Sequence, residues 1–246
     1  ETRMAHYLSA SAVSAKNLAE EKDAIKTLIG DISHQTKTPI ANLLLYAQLL
    51  EEQDLPPESR EYASALEHQA EKLRFLIDAL VKTSRLESGV LAMTPKRHGI
   101  QQLLDAASAQ AAPGAEAKAI TLTVEPTDLT ARFDPKWTAE ALYNLVDNAV
   151  KYTPAGGAVT LRAVGYELFC RVDVTDTGPG IPESEQARIF QRFYRSPSAS
   201  EAEGVGIGLY LARQIAAGQG GYLKVSSRPG EGSTFSLFLP RAEERT

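Results

Sequence analysis

The chain has one cysteine, Cys170, and one tryptophan, Trp137, in 246 residues. A single thiol excludes an internal disulfide framework and fits a reducing compartment. Cys170 falls within the alternating run ELFCRVDVTD, which reads as a buried strand position and not as a reactive thiol. There is no excess of positive charge: 26 Lys and Arg against 31 Asp and Glu give a net charge of -5. That balance leaves no basic footprint, and no nucleic-acid partner is expected. No run reaches the roughly 18 apolar residues of a membrane helix. The longest apolar cluster, ANLLLYAQLL, is interrupted by Asn42 and Gln48. No secretory signal, internal repeat or low-complexity tract is present.

What is there suits two modest domains, residues 1–90 and 91–246. The first reads as helix. Ile25, Leu28 and Ile32 follow a/d spacing, and the stripe resumes one residue out of step at Ile40, Leu43, Ala47 and Leu50. Pro39 lies between the two stretches and is expected to bend the helix. Pro56 and Pro57 break it, and a second helix runs from about Glu58 to Ser88. Ala63/Leu66, Ala70/Leu73 and Ile77/Leu80 form heptad pairs along it. Two such helices cannot bury both stripes alone, so a homodimer forming a four-helix bundle is expected. The alternative is a monomeric hairpin packed on the second domain.

From about Leu91 the pattern changes to short alternating strands: AITLTVEP, AVTLRAVGY, LFCRVDVTD, GYLKVSS and STFSLFLP. Helical segments lie between them, among them PKWTAEALYNLVDNAVKY and IGLYLARQIAAG. The two adjacent strands AVTLRAVGY and LFCRVDVTD suggest an antiparallel hairpin. An α+β layer order follows, with helices on one face of a mixed or antiparallel sheet.

Three segments of this domain bear on chemistry. On the helix ending at Tyr152, Glu140, Asn144 and Asn148 share one face, with Lys151 beside it. Asparagines are poor helix formers, and two on a wet face call for a reason. An amide oxygen is a neutral ligand for a hard cation, and Lys151 is a point charge suited to phosphate. In DTGPGI, Asp176 ends a strand and Gly178 and Gly180 allow close approach of a flat ring. A plain glycine-rich turn closed by an Asx cap has the same sequence. GVGIGL opens a helix, where free N–H groups favour phosphate. It follows the Ser/Ala/Glu-rich stretch 196–203, and not a strand, which argues for a flexible lid and against a dinucleotide fold.

Taken in order, these segments resemble the motifs of sensor histidine kinases of two-component systems. The phospho-acceptor box is DISHQTKTPI, the N box NLVDNAVKYTP, the first glycine box DTGPGIP, the aromatic box IFQRFYR and the second glycine box GVGIGLYLAR. The resemblance runs from about Asp23 to Pro240. It implies an α-helical hairpin in a dimeric four-helix bundle, followed by an α+β sandwich of the Bergerat type shared with gyrase, Hsp90 and mismatch-repair ATPases. It implies ATP and Mg²⁺, with Asn148 as metal ligand and Asn144 supporting phosphates or metal. Lys151 is expected at the phosphates and Asp176 at the adenine amine, with Gly178 and Gly180 shaping the base pocket. Tyr152, Ile181 and Leu209 are counted with the nucleotide-binding residues. Gly204, Gly206 and Gly208 are expected to cradle phosphates, Phe190 and Phe193 to anchor the lid, and Thr234 to lie on the adenine side.

By the same resemblance His34 is the phospho-acceptor. Its position, two residues beyond Ile32, places it on the outer side of the helix. The family usually has Glu or Asp next, as a general base; here it is Gln35, which accepts a hydrogen bond but takes no proton at neutral pH. Thr38 stands where the family has its phosphatase residue. A receiver-domain aspartate of a response regulator is the expected recipient. The chain starts at Glu1 without a methionine and is expected to be a fragment. The intact protein is expected to be membrane-anchored upstream, with this part in the cytoplasm at the inner face. Two other functions compete. A gyrase- or Hsp90-like hydrolase places a glutamate one turn before the metal-binding asparagine, where this chain has Asn144. A non-enzymatic coiled-coil scaffold that binds ATP would not need the whole motif set.

Overall fold

The computed structural model describes residues 24, 27–28, 30–32, 35–87, 93–196 and 205–241. The chain divides into two compact units, Glu1–Leu91 and Ala92–Thr246.

In the first unit, helix α1 covers residues 35–51 and runs through Pro39 without a break. Helix α2 is Pro57–Glu87. Pro57 opens it at a position where a missing amide proton costs nothing. The pair is antiparallel. Lys37 Nζ meets Asp78 Oδ1 at 2.8 Å near one end, and Gln48 Nε2 donates to Glu67 Oε1 at 3.3 Å nearer the other. Between them Ile40, Leu44 and Ala70 form a small core with Ile77 against it. The heptad pairs of α2 divide their labour. Ala63 and Ala70 are buried, whereas Leu66, Leu73 and Leu80 are 58%, 42% and 46% exposed. Leu43 and Leu50 of α1 are exposed too.

The second unit is a two-layer α/β sandwich. Its elements are β1 (Lys96–Gly99), α3 (Ile100–Ala117), β2 (Thr121–Val124), β3 (Thr130–Phe133), α4 (Pro135–Tyr152), β4 (Ala158–Gly165) and β5 (Phe169–Asp176). They continue with α5 (Glu183–Gln186), a 3₁₀ turn Arg188–Phe190, α6 (Gly208–Gly218), β6 (Tyr222–Ser227) and β7 (Ser233–Pro240). The main sheet has the order β2-β4-β5-β7-β6, with β2 parallel to β4 and the other neighbours antiparallel. A separate ribbon pairs β1 with β3.

Side-chain alternation sorts the sheet into two faces. Val159, Leu161, Val172, Val174, Leu237 and Leu239 are fully buried, as are Leu104, Leu142, Leu145, Val146 and Ile215 of α3, α4 and α6. The other face carries Thr123, Thr160, Thr175, Thr234 and Ser226 in mutual register across all five strands. Thr175 and Thr234 share a hydroxyl hydrogen bond of 3.1 Å.

Candidate functional site

Helix α4 is the central positioning element. Asp134 caps it, its carboxylate accepting from the Lys136 and Trp137 N–H groups, and Pro135 stands at the first turn. Its inner stripe, Ala141, Leu142, Leu145, Val146 and Ala149, is buried. That orientation leaves Asn144, Asn148 and Lys151 half-buried at the rim. The C-terminal end is tied down by Lys118, whose ammonium donates to the carbonyls of Val150 (2.9 Å) and Lys151 (2.8 Å). A cation there also complements the helix dipole.

Two glycine segments close on this helix. A Cβ on Gly178 would stand 3.1 Å from the Tyr152 carbonyl oxygen and 2.7 Å from Asp176 Oδ1. A Cβ on Gly208, the first residue of α6, would stand 3.0 Å from Asn144 Oδ1. Asn144 is held in that pose by Nδ2 donating to the Glu140 carbonyl at 2.9 Å. The N box, the first glycine box and the second glycine box are therefore in contact, although separated in sequence.

Asp176, the last residue of β5, is buried, and the Gly178 N–H donates to its Oδ1 at 2.8 Å. Burial pushes its carboxyl above the usual range, while N–H groups of Gly178 and Ser233 pull the other way. The loop after it is clamped to the β6–β7 turn. Gly180 has φ +74, and a Cβ would strike the Arg228 carbonyl. Gly230 N–H donates to the Pro179 carbonyl at 2.7 Å. The Ile181 N–H donates to Ser227 Oγ at 2.8 Å, and Gln186 Nε2 donates to the carbonyls of Ile181 (3.1 Å) and Ser227 (2.9 Å).

In the second glycine box, Gly206 has φ +72 and packs on the main chain of Phe193 and Tyr194. Its carbonyl accepts from the Phe193 N–H at 2.9 Å. Phe190 is buried edge-on against Phe235, with ring centroids 6.5 Å apart. Phe193 instead is 55% exposed with φ 60, so of the two expected lid anchors only Phe190 is packed. Leu209 lies half-buried in the first turn of α6. Tyr152 is also half-buried; burial raises its phenol, opposed by the nearby charge of Arg195.

Thr234 requires a correction. Ser233 pairs with Asp176 across β5–β7 and shares its buried face, whereas Thr234 points to the open face beside Thr175. Period-two alternation places these neighbours on opposite sides. Ser233 is thus the hydroxyl residue beside Asp176. His34 and Gly204 lie outside the described residues. Gln35 and Thr38 are exposed on α1.

The donor set fits a nucleotide with its cation. A side chain at position 178 or 208 would press on Asp176, Tyr152 or Asn144, Asp176 offers a buried acceptor, and Asn148 offers an amide oxygen. Among the described residues no group of three or more His, Cys, Asp or Glu gathers as a metal site. A cation at Asn148 would therefore share its ligands with phosphate oxygens and water, the usual manner of Mg²⁺.

Comparison with known proteins finds a family match in each unit. Residues 24–89 match the family described as His Kinase A (phospho-acceptor) domain. Residues 133–243 match the family described as histidine kinase-, DNA gyrase B- and HSP90-like ATPase. Sensor protein DivL of Caulobacter vibrioides is 34% identical over 96% of this chain and 31% of its own length. Sensor-like histidine kinase SenX3 of Mycolicibacterium smegmatis is 29% identical over 95% of this chain and 61% of its own. Full-length ShkA, solved in complex with AMPPNP, superposes with a TM-score of 0.75 at 29% identity, covering 89% of this chain and 47% of that one. The chain thus spans about a third of DivL and less than two thirds of SenX3.

Proposed function

We infer the activity from kinship and site together: the chain belongs to the sensor histidine kinases of two-component systems. It is read as the part of a longer protein that takes phosphate from ATP onto His34 and passes it to an aspartate of a response regulator. The observation that carries this reading is the meeting of Asn144 with Gly208 and of Tyr152 with Gly178, which gathers three separated motifs around one helix end.

Asp176 accepts from the exocyclic amine of adenine, and Gly178 and Gly180 leave room for the ring. Lys151 neutralises phosphate charge, and the N-terminus of α6 faces the phosphates. Mg²⁺, when bound, neutralises further phosphate charge, and Asn148 is the side chain that would hold it. An unprotonated imidazole nitrogen of His34 attacks the γ-phosphorus. The N–P bond forms, the bond to the β,γ-bridging oxygen breaks, and ADP leaves with the electron pair. The imidazolium then loses the proton on its other nitrogen to solvent, since Gln35 orients the ring without taking a proton. An aspartate carboxylate oxygen of a receiver domain next attacks that phosphorus: the O–P bond forms, the N–P bond breaks, and the His34 imidazole leaves, regaining its proton from solvent. With Asn144 where a hydrolase has its glutamate, no carboxylate activates water, and transfer to a delivered nucleophile is favoured over hydrolysis.

The exposed leucines of the hairpin support a homodimer, a four-helix bundle with Leu66, Leu73 and Leu80 in its core. Thr38 is read as orienting water toward a regulator's aspartyl phosphate, and the intact protein as membrane-anchored with this part in the cytoplasm. The test is incubation with labelled ATP and Mg²⁺ beside His34→Ala. The expected label is acid-labile and base-stable, as a phosphoramidate is, and is absent from the variant. Label persisting in His34→Ala overturns the assignment.

A further inference from the structure

We propose that Ser227, on edge strand β6 and outside every motif of the site, is a positioning residue for adenine selection that acts through the Gly232–Ser233 peptide on Asp176. The inference rests on the reading of Asp176 as the acceptor for adenine's exocyclic amine.

The Ser227 hydroxyl has one proton and two lone pairs, and all three are used. It donates to the Gly232 carbonyl at 2.8 Å, accepts from the Ile181 N–H at 2.8 Å and lies 3.0 Å from Ser233 Oγ. The Gly232 carbonyl and the Ser233 N–H belong to one peptide plane and point in opposite directions. Ser227 holds one end of that plane. The other end, the Ser233 N–H, faces Asp176, the residue that Ser233 opposes across β5–β7. Gly232 cannot back away, because its α-carbon is pressed against the Asp176 carbonyl, where a Cβ would come within 2.0 Å.

The same hydroxyl fixes the base-facing loop from its far end. With Ile181 N–H on Ser227 Oγ and its carbonyl on Gln186 Nε2, both polar groups of that residue are held by side chains. Gln186 in turn grips the Ser227 carbonyl at 2.9 Å. One oxygen thus sets the distance between the loop that bounds the base and the peptide paired with Asp176. Asp176 distinguishes bases by geometry. Adenine presents an amine to the carboxylate, and guanine presents an oxygen at the same edge. Loss of the Ser227 hydroxyl therefore weakens ATP selectively, with little effect on a base that never made the bond.

The experiment measures binding of ATP and GTP, each with Mg²⁺, to the full chain and to Ser227→Ala, Ser227→Thr and Asp176→Ala, with thermal melting of each. Ser227→Ala is expected to weaken ATP about tenfold, the size of one well-made hydrogen bond, and GTP by less than about twofold. Ser227→Thr, which keeps the hydroxyl, is expected to restore the ATP preference. Equal loss for both nucleotides overturns the proposal, as does unchanged ATP affinity in a folded Ser227→Ala. If Ser227→Ala does not fold, Ser227→Cys, of similar shape but a weak hydrogen bonder, must lower the ATP-to-GTP ratio, and an unchanged ratio overturns the proposal. Asp176→Ala, which leaves no acceptor, separates the layers. If base preference survives it, the reading of Asp176 falls as well. If it abolishes preference while Ser227→Ala does not, only the role of Ser227 falls.

Discussion

The main-chain N–H of Asp134 donates to Oε1 of Gln219, a residue 85 positions away, at 2.5 Å. Gln219 is buried just past the end of α6, and it also bonds the Thr138 hydroxyl and the Ile215 carbonyl. It thereby joins the start of α4 to the end of α6. Replacing it with leucine leaves the Asp134 N–H and the Thr138 hydroxyl short of partners in a buried place. A loss of about 1–3 kcal/mol in chemical denaturation is expected. Asp134→Ala removes the cap and is expected to cost about 1–2 kcal/mol. Burial works to raise the Asp134 carboxyl, but N–H groups of Thr94, Trp137 and Lys136 outweigh it and hold it below 3.8. Its contribution is therefore present above the unfolded value and lost as pH falls through the lower folded value. Denaturation of wild type and Asp134→Ala should differ at pH 7 and converge in strong acid.

Asp176 has the opposite displacement: burial raises it above 3.8. The ionised form is the one that accepts from the adenine amine. Preference for ATP over GTP should therefore fade on acidification at a higher pH than for an ordinary exposed carboxylate. Taking the ratio of the two affinities cancels titration of the phosphates themselves. A ratio unchanged at every acidic pH at which the protein stays folded would show that the carboxylate does not read the base.

Leu73 is exposed in the single chain, so in a monomer Leu73→Glu is a surface change worth within about 0.5 kcal/mol. In a four-helix bundle it buries a charge and costs several kcal/mol. Sedimentation of the two proteins decides. The expected result is a dimeric wild type and a variant shifted to monomer; a folded wild-type monomer refutes the bundle.

Gln35→Glu restores a base next to His34. General bases contribute typically ~10²–10⁴-fold where proton transfer limits. Imidazole is already partly neutral near pH 7, so a gain on the order of tenfold or less is expected. Initial rates across pH 6 to 9 measure it, and identical profiles would mean that Gln35 only positions the ring. Thr38→Ala should impair regulator dephosphorylation while leaving autophosphorylation largely intact.

The sequence foretold some elements and not others, for physical reasons. Helix α4 was legible to the residue, because the segment PKWTAEALYNLVDNAVKY reads as helix over its observed bounds, Pro135–Tyr152. Strands β4 and β5 alternate over eight residues each, enough to read their pairing. Strands β1 and β3 have four residues each, KRHG and TARF, too short and too polar for a period to emerge. Thr234 was placed beside adenine because the sequence GSTF does not say which hydroxyl shares the face of Asp176. The β5–β7 register decides that. Gln219, Ser227 and Gln186 left no mark at all, since each works through bonds to distant main chain.

The clamp between residues 176–181 and the β6–β7 turn has a consequence for protein engineering. The loop is not a transplantable cassette. Its polar atoms at Pro179 and Ile181 find partners at Gly230, Ser227 and Gln186, and the Arg228 carbonyl leaves room at position 180 for glycine alone. A chimaera that imports another kinase's first glycine box into this chain should work only when the recipient turn is exchanged with it. The unit of exchange is the pair of segments, which are some fifty residues apart and meet as one surface.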